Sequence, residues 1–185
     1  MAVFKPGQDS DDCHAWTSIV LTGGVIFGDS LGNNMTAGIR FPNMTISNGA
    51  TILSATVTLQ AVDVYSTGTV CNAQIKGEAI DDAVTFSTYA DFIGRTRTTA
   101  YVNWDAVSVW TIDTDYNSPS ITTIIQEIIN RAGWVSGNDL VIFIADNGSS
   151  DSANRTFKAY DQDTNYCARL TVTYSGEIRT LFRPY

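Results

Sequence analysis

The segment Leu53 to Val62 constrains the fold more than any other. Leu53, Ala55, Val57, Leu59 and Ala61 fall on one side, and Ser54, Thr56, Thr58 and Gln60 on the other. Alternation with a period of two is the pattern of a strand with one buried and one wet face. Such a strand needs partners and a second layer to cover its apolar face. Ser47-Asn-Gly-Ala50 precedes it, with Asn-Gly as the turn signal.

Other stretches repeat the theme. Ala37, Ile39 and Phe41 alternate with Gly38 and Arg40 and stop at Pro42. Strands are expected at Asp12 to Trp16, Ile19 to Leu21, Val70 to Lys76, Ala100 to Trp104, Leu140 to Ala145 and Ala168 to Tyr174. The run Leu140 to Ile144 is continuously apolar, which suits a strand covered on both faces. One segment departs from this. Ile121, Ile124, Ile125, Ile128 and Ile129 form one stripe of an amphipathic helix over about 119–131. Ser118 is its expected N-cap, Pro119 its first residue and Gly133 its stop. A shorter helical turn is expected over Asp82 to Asp91, with Phe86, Tyr89 and Phe92 facing inward. The expected fold is an all-β, jelly-roll-like antiparallel β-sandwich with one amphipathic helix packed against it. Residues 1–8 read as an N-terminal arm, 9–174 as the sandwich domain and 175–185 as a C-terminal tail.

Composition narrows the function. The net charge of −8, with only three lysines, argues against nucleic acid, which requires a basic face. No stretch reaches the roughly 18 to 20 apolar residues of a membrane span. Met1 to Asp12 lacks the apolar core of a secretory signal. Cys13, Cys71 and Cys167 match no metal spacing and read as buried small hydrophobes, or as one disulfide with a free thiol.

Several phrases also carry a family resemblance. They are Asp9-Ser-Asp-Asp-Cys13, Gly38-Ile-Arg-Phe41, Ile46-Ser-Asn-Gly-Ala-Thr-Ile52, Ile125 to Trp134, Gly137-Asn-Asp-Leu140 and Arg155 to Asp161. Together they resemble the DNRLRE-type, carbohydrate-binding-module-like β-sandwich modules of extracellular and phage-associated proteins. The resemblance implies a sandwich fold over roughly residues 9–174 and a role at a surface.

Chemistry-bearing motifs are sparse. His14 is the one histidine, set inside an expected strand, and is read as structural. No nucleophile elbow, zinc-protease pair or phosphate-binding loop is present, so the chain is read as a non-enzyme with no catalytic residues. Its acids gather at Asp9, Asp11 and Asp12, at Asp81 and Asp82, and at Asp161 and Asp163. Calcium is the one cofactor considered, with Asp161 and Asp163 as candidate ligands. A sugar would stack on exposed aromatic rings, drawn from Trp16, Tyr65, Tyr101, Trp104, Trp110, Trp134 and Tyr160; Trp16, Trp104 and Trp110 are the principal candidates. Arg40 is expected to be salt-bridged or snorkelling.

The expected function is therefore a phage virion component, either a capsid decoration (cement) protein or a tail or fibre component, acting at the virion or extracellular surface. Its partners would be copies of itself and a capsid or tail protein, reached through Val3, Phe4, Leu181, Phe182 and Tyr185. A carbohydrate-binding or adhesion module with a glycan partner, and the subunit of an extracellular filament, are the competing readings.

Overall fold

The computed structural model describes residues 1–62 and 70–176. Tyr65, Leu181, Phe182 and Tyr185 lie outside the described residues. The described residues form twelve strands: β1 (Ala2–Phe4), β2 (Asp12–Ala15), β3 (Ile19–Val20), β4 (Val25–Ser30), β5 (Asn33–Phe41), β6 (Thr51–Gln60), β7 (Ala73–Glu78), β8 (Arg97–Trp104), β9 (Asp115–Asn117), β10 (Leu140–Asp146), β11 (Asn154–Phe157) and β12 (Arg169–Ser175). The described residues also form two α-helices, α1 (Tyr89–Gly94) and α2 (Thr122–Ile129), and a 3-10 turn at Asp9–Asp11. The smaller sheet runs β1-β12-β6-β9 and the larger β11-β4-β5-β10-β7-β8. β2 joins the larger sheet along the same side of β5 that β4 occupies further on, and β3 pairs with β2. Every strand pair is antiparallel. The sandwich expected from the sequence is what forms.

The inner faces supply the main core. Val57 and Leu59 of β6, Ile39 of β5, Ile75 of β7, Ile142 and Ile144 of β10, and Leu170 and Val172 of β12 meet there with the isoleucines of α2. α2 lies along β6, β7 and β8. It approaches closely because β7 carries Gly77, where an added Cβ would sit 2.5 Å from Ile128 Cδ1.

A second apolar cluster covers the outer face of the larger sheet. Phe86 and Phe92 fold over Cys13, Val141 and Phe143, and the three phenylalanine rings meet at 5.4 to 6.1 Å. Gly38 makes room for them, since a Cβ there would lie 2.7 Å from Phe86 Cζ. The Arg97 guanidinium lies 3.2 Å from the Phe143 ring centroid, and that of Arg95 lies 4.4 Å from the Phe86 ring centroid. Arg40, expected to be paired, is bound to Asp11 at 2.6 Å and to Asp139, and donates to the Ala83 carbonyl at 2.8 Å. These bonds tie the covering segment to the sheet beneath it.

Three local expectations are corrected. Leu53 is 62% exposed while Ile52 is buried. The cause is a β-bulge: Ser54 pairs with Thr173 and Ile52 with Tyr174, leaving Leu53 as the extra residue that turns outward. α2 starts later than expected, with Ile121 at the N-cap position. The Ser118 hydroxyl instead accepts from Val57 N at 3.0 Å and donates to the Pro119 carbonyl, extending the pairing along β6. The short helix forms over Tyr89–Gly94, sharing only Tyr89 to Asp91 with the expected turn, and is capped by Thr88 through Asp91 N.

Candidate functional site

The register of β7 and β8 sets four polar or aromatic side chains on the open part of the larger sheet. Ala73 and Ile75 are buried toward the core, so Gln74 and Lys76 point outward. Gln74 lies opposite Asn103 and Lys76 opposite Tyr101. Gln74 Nε2 donates to Asn103 Oδ1 at 3.2 Å, and Lys76 Nζ lies 5.6 Å from the Tyr101 ring centroid. Tyr101 is 55% exposed. Along the sheet, Lys76 is followed by Phe143 under its aromatic cover, so the strip is bounded on that side. An exposed ring beside two amides and an ammonium is suited to a neutral hydroxyl-rich ligand. The ring covers an apolar face while amides and ammonium bond hydroxyl groups.

The principal aromatic candidates are distributed differently from expectation. Trp110 is corrected: it is 3% exposed, stacked on Tyr116 at 4.9 Å and packed beside Phe27, so it offers no face to a ligand. Its Nε1 is buried with no hydrogen-bond partner. Trp104 is half-buried and its ring lies 5.7 Å from Phe27. Trp16 is half-buried and stacked on His14 at 5.9 Å. Trp134 is buried and donates from Nε1 to the Ile46 carbonyl. Of the candidates among the described residues, Tyr101 is the one whose ring is exposed, while Tyr160 is half-buried in an open depression beside Gln8, Asp9, Ser10 and Thr22. The partners of Tyr101, Gln74, Lys76 and Asn103, are not apparent from the sequence, because only the strand register brings them together. The polar–apolar alternation of Gln74-Ile75-Lys76 was the available signal.

A second group of residues sits where β2 meets the 159–167 turns. Asp12 is 1% exposed; its Oδ2 accepts from Tyr160 N at 2.8 Å, and its Oδ1 is without a partner. Burial pushes its carboxyl up to about 7, against the Tyr160 bond, and Asp161, Asp11 and Asp9 add to the rise. Burial pushes the Cys167 thiol up to about 11 and raises that of Cys13 further. All three cysteines are free and buried, as small hydrophobes. Burial also holds His14 neutral, with its pKa lowered to about 4.

The calcium candidates serve the turns. Asp161 Oδ2 accepts from Gly23 N at 2.9 Å, and Asp163 Oδ1 from Asn165 N at 2.9 Å. Among the described residues no group of three or more His, Cys, Asp or Glu is placed to hold a metal ion. Among the described residues no helix is long and apolar enough to cross a membrane.

The candidate assembly residues divide. Val3 is 49% exposed on β1, whereas Phe4 is corrected: it is 8% exposed and fills its own domain's core. Ala2–Phe4, expected within a free arm, form the edge strand of the smaller sheet through Ala2–Val172 and Phe4–Leu170. Among the described residues, fold and surface together define an all-β sandwich with an open edge and a wet aromatic strip. No protein-family model matches the chain, and no curated protein matches it either.

Proposed function

We propose that the chain is a non-enzymatic structural protein of a phage virion, a capsid decoration protein or a tail or fibre component, which joins its neighbours at one corner of the sandwich. One observation carries this reading. β1 begins where β12 ends, since Ala2 lies opposite Val172 and β12 runs on only to Ser175. Both ends of the described fold therefore leave from a single corner, beside an edge strand with a free side. Such a corner can hold a domain to a surface while the rest stays solvated. The acidic, lysine-poor composition and the resemblance to phage-associated sandwich modules support the same reading. Mass spectrometry of density-banded particles made by the genome that encodes the chain tests it. The chain should be recovered in stoichiometric amount, and its absence from the particles sinks the reading.

The strip around Tyr101 favours a second reading, a glycan-binding or adhesion module. A glycan array should then show a binder that Tyr101→Ala loses while Trp104→Phe retains it. An array without any binder disposes of this second reading and leaves the first untouched.

A further inference from the structure

A β-sandwich must dispose of its strand edges, because an open edge is a row of unpaired N–H and C=O groups that invites another strand. Among the described residues three edges are covered or blunted, and a further one, β3, is only two residues long and pairs with β2 alone. Glu127 of α2 accepts from Thr99 N at 2.8 Å and Ala100 N at 2.6 Å, covering the start of β8. β11 is closed by Val62 N, which bonds the Thr156 carbonyl, and by Arg155, which donates to the carbonyls of Ser108 and Val107. β9 spans three residues, carries the charged pair Asp115–Arg169, and passes at once into the bonded segment Ser118 to Ile121. β1 has β12 on one side, and no cover on the other among the described residues.

We propose that this free side of β1 receives residues 177–185 of a second copy as an added strand. The inference rests on the assembly reading above and names the partner of that corner. β12 ends at Ser175, beside the start of β1, and residues 177–185 follow in the sequence. Two copies related by a two-fold axis can each lay this segment on the other's β1, giving a reciprocal, closed contact. Ile178, Thr180 and Phe182 alternate with Arg179, Leu181 and Arg183, and Pro184 ends the run, a composition fitted to an edge strand. Arg179 and Arg183 outweigh Glu177 there, in a chain whose net charge is −8, so the segment is attracted to an acidic body. The chain's own segment would have to pass around β1 and pair parallel to it, in the less stable arrangement. A segment from a second copy is free to pair antiparallel.

The test uses the full chain with Val3→p-benzoylphenylalanine, mixed with isotopically heavy wild-type chain, irradiated and mapped by mass spectrometry. The expected product is a light–heavy adduct between position 3 and a peptide within 177–185. In sedimentation, a Leu181→Asp, Phe182→Asp double variant should be monomeric where the wild type associates, with an unchanged circular dichroism spectrum. Three outcomes overturn the inference: an adduct confined to one copy, an adduct to a different element such as the partner's β1 or β8, or association unchanged in the double variant. The last two leave assembly through a sandwich edge standing. A wild type that is monomeric and forms no intermolecular adduct overturns the inference as well, and particle composition then decides the virion role on its own.

Discussion

Gln126 and Glu127 are neighbours on α2, yet they bind opposite layers of the sandwich. Gln126 accepts from Ile52 N at 2.8 Å through Oε1 and donates to the Ala50 carbonyl at 2.9 Å, both on the smaller sheet's side. Glu127 accepts from Thr99 N and Ala100 N of the larger sheet. The helix thus closes one side of the sandwich with two consecutive side chains, while its isoleucines face the core between the layers. A helix of mediocre intrinsic propensity is held there by what it joins.

Removing the carboxylate should cost more than removing the amide. Glu127→Ala leaves two strand N–H groups without a charged acceptor and is expected to lower stability by about 2 kcal/mol. Gln126→Ala, which removes neutral bonds, is expected to cost about 1 kcal/mol. Urea denaturation of both variants checks the order; equal losses would show that the charge on Glu127 adds nothing over neutral bonds.

Gly77 and Gly38 are sites where a single methyl group must displace a packed element. At Gly77 the methyl meets two isoleucines of α2, and at Gly38 it meets Phe86 and Phe92. Each Gly→Ala change is expected to destabilise by about 1–3 kcal/mol through overpacking. Gly94→Ala, which meets nothing within 4 Å, is the matched control. Thermal unfolding should lower the midpoint in the first two variants and spare the third.

Two buried groups pull stability in opposite directions with pH. Asp12 has its folded pKa raised from 3.8 to about 7, so its stabilising contribution is complete below the unfolded value and is lost as pH rises toward 7. His14 is lowered from 6.5 to about 4, so its contribution is complete above the unfolded value and is lost as pH falls from 6.5 toward 4. Asp12→Asn should therefore raise stability at pH 7 and make it climb more steeply between pH 4 and 6.5. The ceiling on the gain is on the order of 4 kcal/mol. Chemical denaturation across this pH range checks the sign, and a gain that is the same at pH 4 and pH 7 would refute it.

The thiols provide an independent check on packing. Cys13, Cys71 and Cys167 are each buried with raised pKa. A thiol reagent should label none of them at native pH on a timescale that labels all three in denaturant. Fast labelling of one cysteine in the native state would mark local opening there.

Much of the framework is legible in the residues, and what is missed has physical causes. The alternation in β6 and the apolar run in β10 identify their strands because burial on one or both faces dictates those patterns. β4 and β11 are hidden by residues poor in strand propensity, Gly28, Asp29 and Asn154. These residues serve bonds between distant segments, with Asp29 accepting from Gly32 N and Ser152 N. Leu53 is misread because a bulge shifts the register by one, and a bulge depends on the partner strand. At the site, Tyr101 was visible as one aromatic among several. Which aromatic rings face solvent depends on the layer each strand joins, and so the sequence alone puts Trp110 ahead of Tyr101.

The shared corner at which β1 begins and β12 ends has a mechanical consequence. If the domain is held by both chain ends to one support, tension enters and leaves through adjacent strands and bypasses the remaining strands. A pull that separates the two ends instead opens the β1–β12 pair bond by bond from its terminus, the geometry of a zipper rather than a shear. The domain is then robust when both ends are tethered together and peels readily when they are drawn apart.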